Sequence, residues 1–211
     1  VITGSSGTGG SSRTSNVRVW EAGSSTFREI SSRNINGDNR SIWYNSIDIN
    51  PKENHVVLGY GNENFSEILD IKTGKNIATI PLKGVTCRYS SDGTKLLINS
   101  GWLKVTNIWD IKENKSILEI DTKDFYPRWN NDETKIVFGA HTETKSAVLD
   151  IKSGEVTYFE HENILTPGAS FDPKGKRILT HSHFGGNFYI WDIESGNLLN
   201  TLSYAPRIEA T

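Results

Sequence analysis

The residues whose types admit chemistry are five histidines, one cysteine and a glycine-rich opening. Four histidines fall in the last third of the chain or just before it: His141, His161, His181 and His183. Imidazoles gathered from neighbouring loops suit zinc, and the alternation in His181-Ser182-His183 puts two on one side of a strand. No cysteine or paired carboxylate completes a ligand set, so solvated loop side chains and no metal are expected. The opening run from Thr3 to Ser12 has the glycines of a phosphate cradle. A strand follows it, Val17 to Trp20, where a cradle requires a helix N-terminus, so it reads as a flexible loop. There is no Gly-x-Ser-x-Gly elbow and no His-Glu-x-x-His. The expectation is no catalytic residue and no cofactor, with neither Ser182 nor His183 acting as nucleophile or base: not an enzyme in its own right.

The elements that position these residues come from a repeat. One short phrase recurs five times: Trp20-Glu21-Ala22-Gly23, Leu69-Asp70-Ile71-Lys72-Thr73-Gly74, Trp109-Asp110-Ile111-Lys112, Leu149-Asp150-Ile151-Lys152-Ser153-Gly154 and Trp191-Asp192-Ile193-Glu194-Ser195-Gly196, with anchors 49, 40, 40 and 42 residues apart. A second phrase precedes four of the anchors: Ile49-Asn50-Pro51-Lys52-Glu53, Tyr89-Ser90-Ser91-Asp92-Gly93, Trp129-Asn130-Asn131-Asp132-Glu133 and Phe171-Asp172-Pro173-Lys174-Gly175. Two phrases in step at one period mark a repeat architecture. Between them lie β-branched and aromatic runs, such as His55-Val56-Val57-Leu58 and Arg177-Ile178-Leu179-Thr180, bounded by Gly, Asn, Asp and Pro. Each unit reads as four short antiparallel strands, a to d; in the third these are Val85 to Tyr89, Leu96 to Asn99, Val105 to Ile111 and Ser116 to Ile120. The Ser-Asp-Gly phrase is the a-to-b turn and the Asp-Ile-Lys-x-Gly phrase the c-to-d turn.

These units resemble WD40 repeats, whose blades have four strands, a period of about 40 to 45 residues and a Trp-Asp pair closing the third strand. The resemblance implies an all-β fold, a β-propeller of four-stranded antiparallel blades with about five units here: 1–30, 42–80, 84–120, 124–160 and 165–202, plus a partial strand at 204–209. The family's Gly-His pair is missing from every unit, so its buried Asp-His-Ser-Trp network is not carried over. Propellers attached to peptidases share the a-to-b turn.

An up-and-down meander puts the b-to-c and d-to-a loops at one end and the a-to-b and c-to-d turns at the other. The turn end holds Lys52, Lys72, Lys75, Lys95, Lys112, Lys115, Lys135, Lys152, Lys174 and Lys176 among comparable numbers of acids, a solvated surface. The loop end holds Trp43, Tyr44, Tyr60, Phe65, Trp102, Phe125, Tyr126 and Phe184, and has the longer loops, notably Ser31 to Ser46. Large aromatics make interface hot spots, although aromatics at strand ends also cap cores. Trp20, Trp109, Trp191, Tyr89, Trp129 and Phe171 sit at equivalent repeat positions and are assigned to packing.

The expected function is a protein-interaction scaffold that takes a protein or peptide partner on the aromatic loop end. The alternative is the non-catalytic propeller of a larger enzyme, such as a prolyl-oligopeptidase-type peptidase. Lysine plus arginine number 23 against 25 acids, a net charge of -2, so nucleic acid is not an expected partner. No apolar run of about 18 residues suggests a membrane span, and one cysteine makes no internal disulfide. A cytoplasmic, soluble protein is expected. Since the chain opens on Val1, lacks methionine and shows no secretory signal, it is expected to be a segment of something larger. Val1 to Ser5 matches a strand b, so the first unit lacks its strand a. Either 204–209 supplies that strand and closes a five-bladed ring, or the chain is an arc of six to eight blades; the arc is the expectation.

Overall fold

Asp70 shows why the repeated phrases become turns. Its carboxylate accepts the Thr73 backbone N–H at 2.6 Å and the Thr73 hydroxyl at 2.8 Å, and Gly74 turns at φ 70° while its N–H meets the Asp70 carbonyl. Aspartate accepts locally and glycine adopts the left-handed region without a Cβ clash. Asp150 with Ser153 and Asp192 with Ser195 repeat the arrangement. In the third unit, where the phrase lacks its glycine, Asn114 takes the left-handed place at φ 50°, as asparagine does at least strain.

The computed structural model describes residues 2–6, 14–20, 26–34, 44–61, 63–121, 126–139, 144–161, 168–181 and 186–203. The chain divides into two compact units, Val1–Ile120 and Asp121–Thr211. The first unit holds three antiparallel sheets. One has three strands, β1 (Ile2–Ser6), β2 (Thr14–Trp20) and β3 (Phe27–Asn34). The second runs β4 (Tyr44–Ile49), β5 (His55–Tyr60), β6 (Ser66–Asp70), β7 (Asn76–Ile80), and the third β8 (Thr86–Tyr89), β9 (Lys95–Asn99), β10 (Val105–Asp110), β11 (Lys115–Asp121), each hydrogen-bonded in sequence order. The second unit holds a fourth sheet, β12 (Arg128–Trp129), β13 (Lys135–Phe138), β14 (Lys145–Asp150), β15 (Val156–Glu160), and a fifth, β16 (Gly168–Phe171), β17 (Arg177–His181), β18 (Asn187–Asp192), β19 (Leu198–Ser203). The fold is all-β, with four-stranded up-and-down sheets of propeller-like form. The long connection read from Ser31 to Ser46 is shorter than expected, because β3 runs on to Asn34 and β4 begins at Tyr44. Val1 and the expected strand 204–209 lie outside the described residues.

Sheets within a unit pack face to face. Val17 and Val19 meet Val56, Leu58 and Leu69; Val57, Ile68 and Ile80 meet Cys87, Tyr89, Leu96, Ile98 and Trp109; Val137, Val148 and Phe159 meet Ala169, Ile178 and Trp191. Backbone groups at the first strands are met by side chains: the Ser46 hydroxyl accepts the Cys87 N–H at 2.9 Å, and Asp48 accepts the Tyr89 N–H at 2.8 Å. Such pairing removes the cost of buried unmet polar groups. Burial pushes the Cys87 thiol up to about 12, so it stays protonated and inert.

The anchor tryptophans differ in their polar atom. The Trp191 indole donates to the Thr180 hydroxyl at 3.1 Å. In the third sheet the place of Thr180 is taken by Ile98, and the buried Trp109 indole N–H meets no acceptor among the described residues. Thr180→Val keeps the shape of the side chain and strips the Trp191 acceptor. It should lower unfolding stability by about 1 kcal/mol, read as a shifted urea midpoint with an unchanged slope.

Candidate functional site

The two ends of each sheet differ in what their polar groups are doing. At the turn end the carboxylates are engaged by their own turns. The Ser90 hydroxyl, then the Thr94 N–H and hydroxyl, hold Asp92 down at about 2. Asp70 and Asp132 are lowered chiefly by the Thr73 and Thr134 hydroxyls, Asp172 and Asp192 chiefly by the Arg177 and Ser195 backbone N–H groups. Asp150 is lowered most by Lys135, whose ammonium lies 2.5 Å away. Eight of the ten turn-end lysines are exposed, and Lys95 and Lys135 half-buried.

The loop end offers apolar surface. In the first unit a cavity of about 440 Å³ opens between the second and third sheets, with Leu82, Leu103 and Val105 against Lys83, Glu119 and Asn64. Leu103 is 62% exposed. It ends a single 3-10 turn, Gly101–Leu103, that Lys104 closes at φ 58°. That conformation is uncommon for a lysine and is held by its N–H bond to the Gly101 carbonyl. The Asn99 side chain accepts the Gly101 N–H at 2.9 Å and donates to Thr106 at 2.8 Å, which fixes the base of the loop.

The eight aromatic candidates do not share one environment. Tyr60 is fully buried, its hydroxyl donating to the Glu67 carboxylate and its ring 5.2 Å from Phe65. Phe65 is half-buried on the same cluster. Both pack, and Tyr60 presents no surface to a partner. Tyr126 is exposed, at φ 63° in the connection before the fourth sheet. The backbone of Tyr44 opens β4 and that of Trp102 lies in the 3-10 turn beside Leu103. Trp43, Phe125 and Phe184 lie outside the described residues. Leu103 was not singled out from sequence, since a lone leucine in a loop carries no pattern.

The histidines are dispersed in kind. His161, expected in a solvated connection, is buried: its Nε2 lies 3.1 Å from the Ser146 hydroxyl and its ring stands edge-on to Trp191 and Tyr189 at 5.0 and 5.4 Å. Burial pushes its pKa down to about 4, so the ring is neutral near pH 7. It belongs to the core between the fourth and fifth sheets. His181 is exposed beside Phe188, and His141 and His183 lie outside the described residues. Among the described residues no three His, Cys, Asp or Glu side chains form a metal-holding group, and no helix is long and apolar enough to cross a membrane.

No protein-family model matches the chain, and no curated protein matches it by sequence. Among solved structures, one titled Kuenenia stuttgartiensis hydrazine synthase is similar with a TM-score of 0.65 at 15% identity, over 81% of this chain and 52% of that one. The chain thus spans about half the length of that neighbour. In all, 1179 solved chains match, so the fold is widely used and names no activity by itself. What the likeness shows is the fold.

Proposed function

We propose that the chain is part of a WD-repeat-type β-propeller that binds a protein or peptide through the loop end of its sheets. The observation that carries this reading is the cavity of about 440 Å³ in the first unit, where exposed Leu103 adjoins Leu82 and Val105 within reach of one cation, Lys83, and one anion, Glu119. An apolar recess with few polar groups at its rim suits an inserted side chain, and rigid sheets present the loops that choose it. The turn end of the second unit has a recess of about 380 Å³, but its lining is mostly charged. Asp150 and Asp192 there are already held by Lys135, Ser153 and Ser195, so it suits an inserted apolar side chain less well.

The test starts with a partner recovered by pull-down and identified by mass spectrometry. Leu103→Ala and Leu82→Ala should each weaken its binding, with the stronger anchor costing about 2 kcal/mol or more, while circular dichroism stays unchanged. Lys112→Ala and Lys174→Ala, at the turn end, should leave affinity intact. If the lysine changes abolish binding and the loop changes do not, the reading has the wrong end. A second reading keeps the propeller as the non-catalytic part of a larger enzyme. It draws on the structural neighbour, whose title names an enzyme and of which this chain covers 52%, and an α/β-hydrolase domain elsewhere in the parent polypeptide would favour it.

A further inference from the structure

The repeat supplies its own controls for which surfaces are meant to be covered. In the middle strand of the three-stranded first sheet and the third strand of the second and fourth, the residue three before the anchor faces the next sheet of the same unit: Val17, Ser66 and Ser146, all fully buried. Opposite the last two, on the fourth strands, stand Ile80 and Phe159, also fully buried. On the second strands Val57 and Val137 complete the face, again with no exposure. The fifth sheet carries the same positions. Phe188 pairs with Leu202 across β18 and β19, and Leu179 pairs with Ile190 across β17 and β18, so the four side chains share one face. Here they are open: Leu179 is 37%, Phe188 39% and Leu202 48% exposed, with Ile190 half-buried. The opposite face of that sheet, through Ile178 and Trp191, already packs on the fourth sheet.

We propose that this open face of the fifth sheet is the docking surface for a further four-stranded sheet of the same repeat. The two complete examples say what such a partner presents. The second sheet is covered by a first-strand aromatic, Tyr89, second-strand Leu96 and Ile98, and third-strand Trp109; the fourth is covered by Phe171, Ile178 and Trp191 in the same places. The inner edge is prepared too. Ser170 stands where Asp48 stands in the second sheet, and Asp48 accepts a backbone N–H of the sheet it faces. Phe188 replaces the smaller Val17, Ser66 and Ser146, so the covering sheet has a small residue opposite it. An apolar sheet face left in water is the kind of surface that soluble proteins cover. The proposal goes beyond the loop-end reading and stands or falls apart from it.

Single cysteines test it, because the native Cys87 is fully buried and silent towards a thiol reagent. Phe188→Cys and Leu202→Cys are introduced into the 211-residue chain and into the full-length gene product, and maleimide labelling is timed. Tyr158→Cys, on an outer strand and 60% exposed, is the control that labels quickly in both. Cysteines at 188 and 202 should label quickly in the 211-residue chain and about tenfold or more slowly in the full-length product. A photo-reactive benzoylphenylalanine at 188 in the full-length product should cross-link to a segment that carries a tryptophan or leucine anchor of the repeat. Equal labelling rates in the two proteins would overturn the proposal. So would protection in the 211-residue chain that grows with concentration, which marks a second copy, protection there at every concentration, which marks a face already covered, or a cross-link to any segment without the repeat.

Discussion

Phe159→Ala should cost the chain about 3 to 5 kcal/mol of unfolding stability, the range for emptying a buried phenylalanine site. Fourth strands are mostly exposed: every residue of β19 is open to solvent and most of β11, while β7 buries Ile80 at its end. Phe159 is the exception in β15. It is fully buried and stacks edge-on to Trp191 at 5.8 Å and 63°, among Val137, Val148, Ala169 and Ile178. Those neighbours belong to two sheets, each made stiff by its own backbone ladder, so the site collapses only in part and most of the cavity cost remains. Tyr158, one residue earlier in β15, is 60% exposed, and Tyr158→Ala should change stability by only about 0.5 kcal/mol. Urea unfolding followed by tryptophan fluorescence and by far-ultraviolet circular dichroism reads both. A Phe159→Ala chain within about 1 kcal/mol of the parent would mean that β15 does not pack as described.

The turns were legible because their chemistry is local. An aspartate followed at three residues by serine or threonine, and at four by glycine, needs nothing from the rest of the chain to close, and Asp70, Asp150 and Asp192 do close in this way. The strands followed, since two turn phrases in step leave only enough residues for four short strands. The assignment of Trp109, Trp191 and Tyr89 to packing also holds, all three being buried. What could not be read were environments supplied by another sheet. His161 sits in a polar-looking connection, and only Tyr189 and Trp191, nearly thirty residues on, make it a core residue. Tyr60 ends a strand just before a loop, the place where an aromatic serves a surface or a core equally well, and Glu67 decides for the core by taking its hydroxyl. The loop end stayed the hardest to read for the same reason that it is the better candidate site. Its connections do not repeat, so no unit explains another, and Leu103 became visible only through its exposure beside a cavity.

Acid should weaken the second unit first through His161, beginning above the range in which the carboxylates take up most of their protons. His161 is neutral in the folded chain because burial holds its pKa down at about 4, against 6.5 for an ordinary histidine. The groups facing it from β14 and β18 are the Ser146 hydroxyl and the rings of Tyr189 and Trp191, none of them a carboxylate that could stabilise an imidazolium. The adjacent charges, Glu160 and Lys145, pair with each other at 2.6 Å. A group whose folded pKa is depressed below its unfolded value favours the fold when deprotonated, so its contribution is fully present above pH 6.5. It is lost progressively as pH falls from 6.5 to about 4, because the unfolded chain takes up the proton first. At about 1.4 kcal/mol per pKa unit the loss is on the order of 3 kcal/mol. The lowered carboxylates, Asp92, Asp132, Asp150, Asp172 and Asp192 with an ordinary value of 3.8 and Glu160 with 4.5, lose their contribution mainly below about pH 5. They overlap only the lower end of this range and are the same in the parent chain and in His161→Phe. Urea midpoints at pH 7 and pH 4.5 should therefore differ in the parent chain and much less in His161→Phe, which keeps a ring against Trp191 and has no proton to gain. Equal slopes of stability against pH in the two chains, between pH 6.5 and 4, would show that His161 is not the group that titrates.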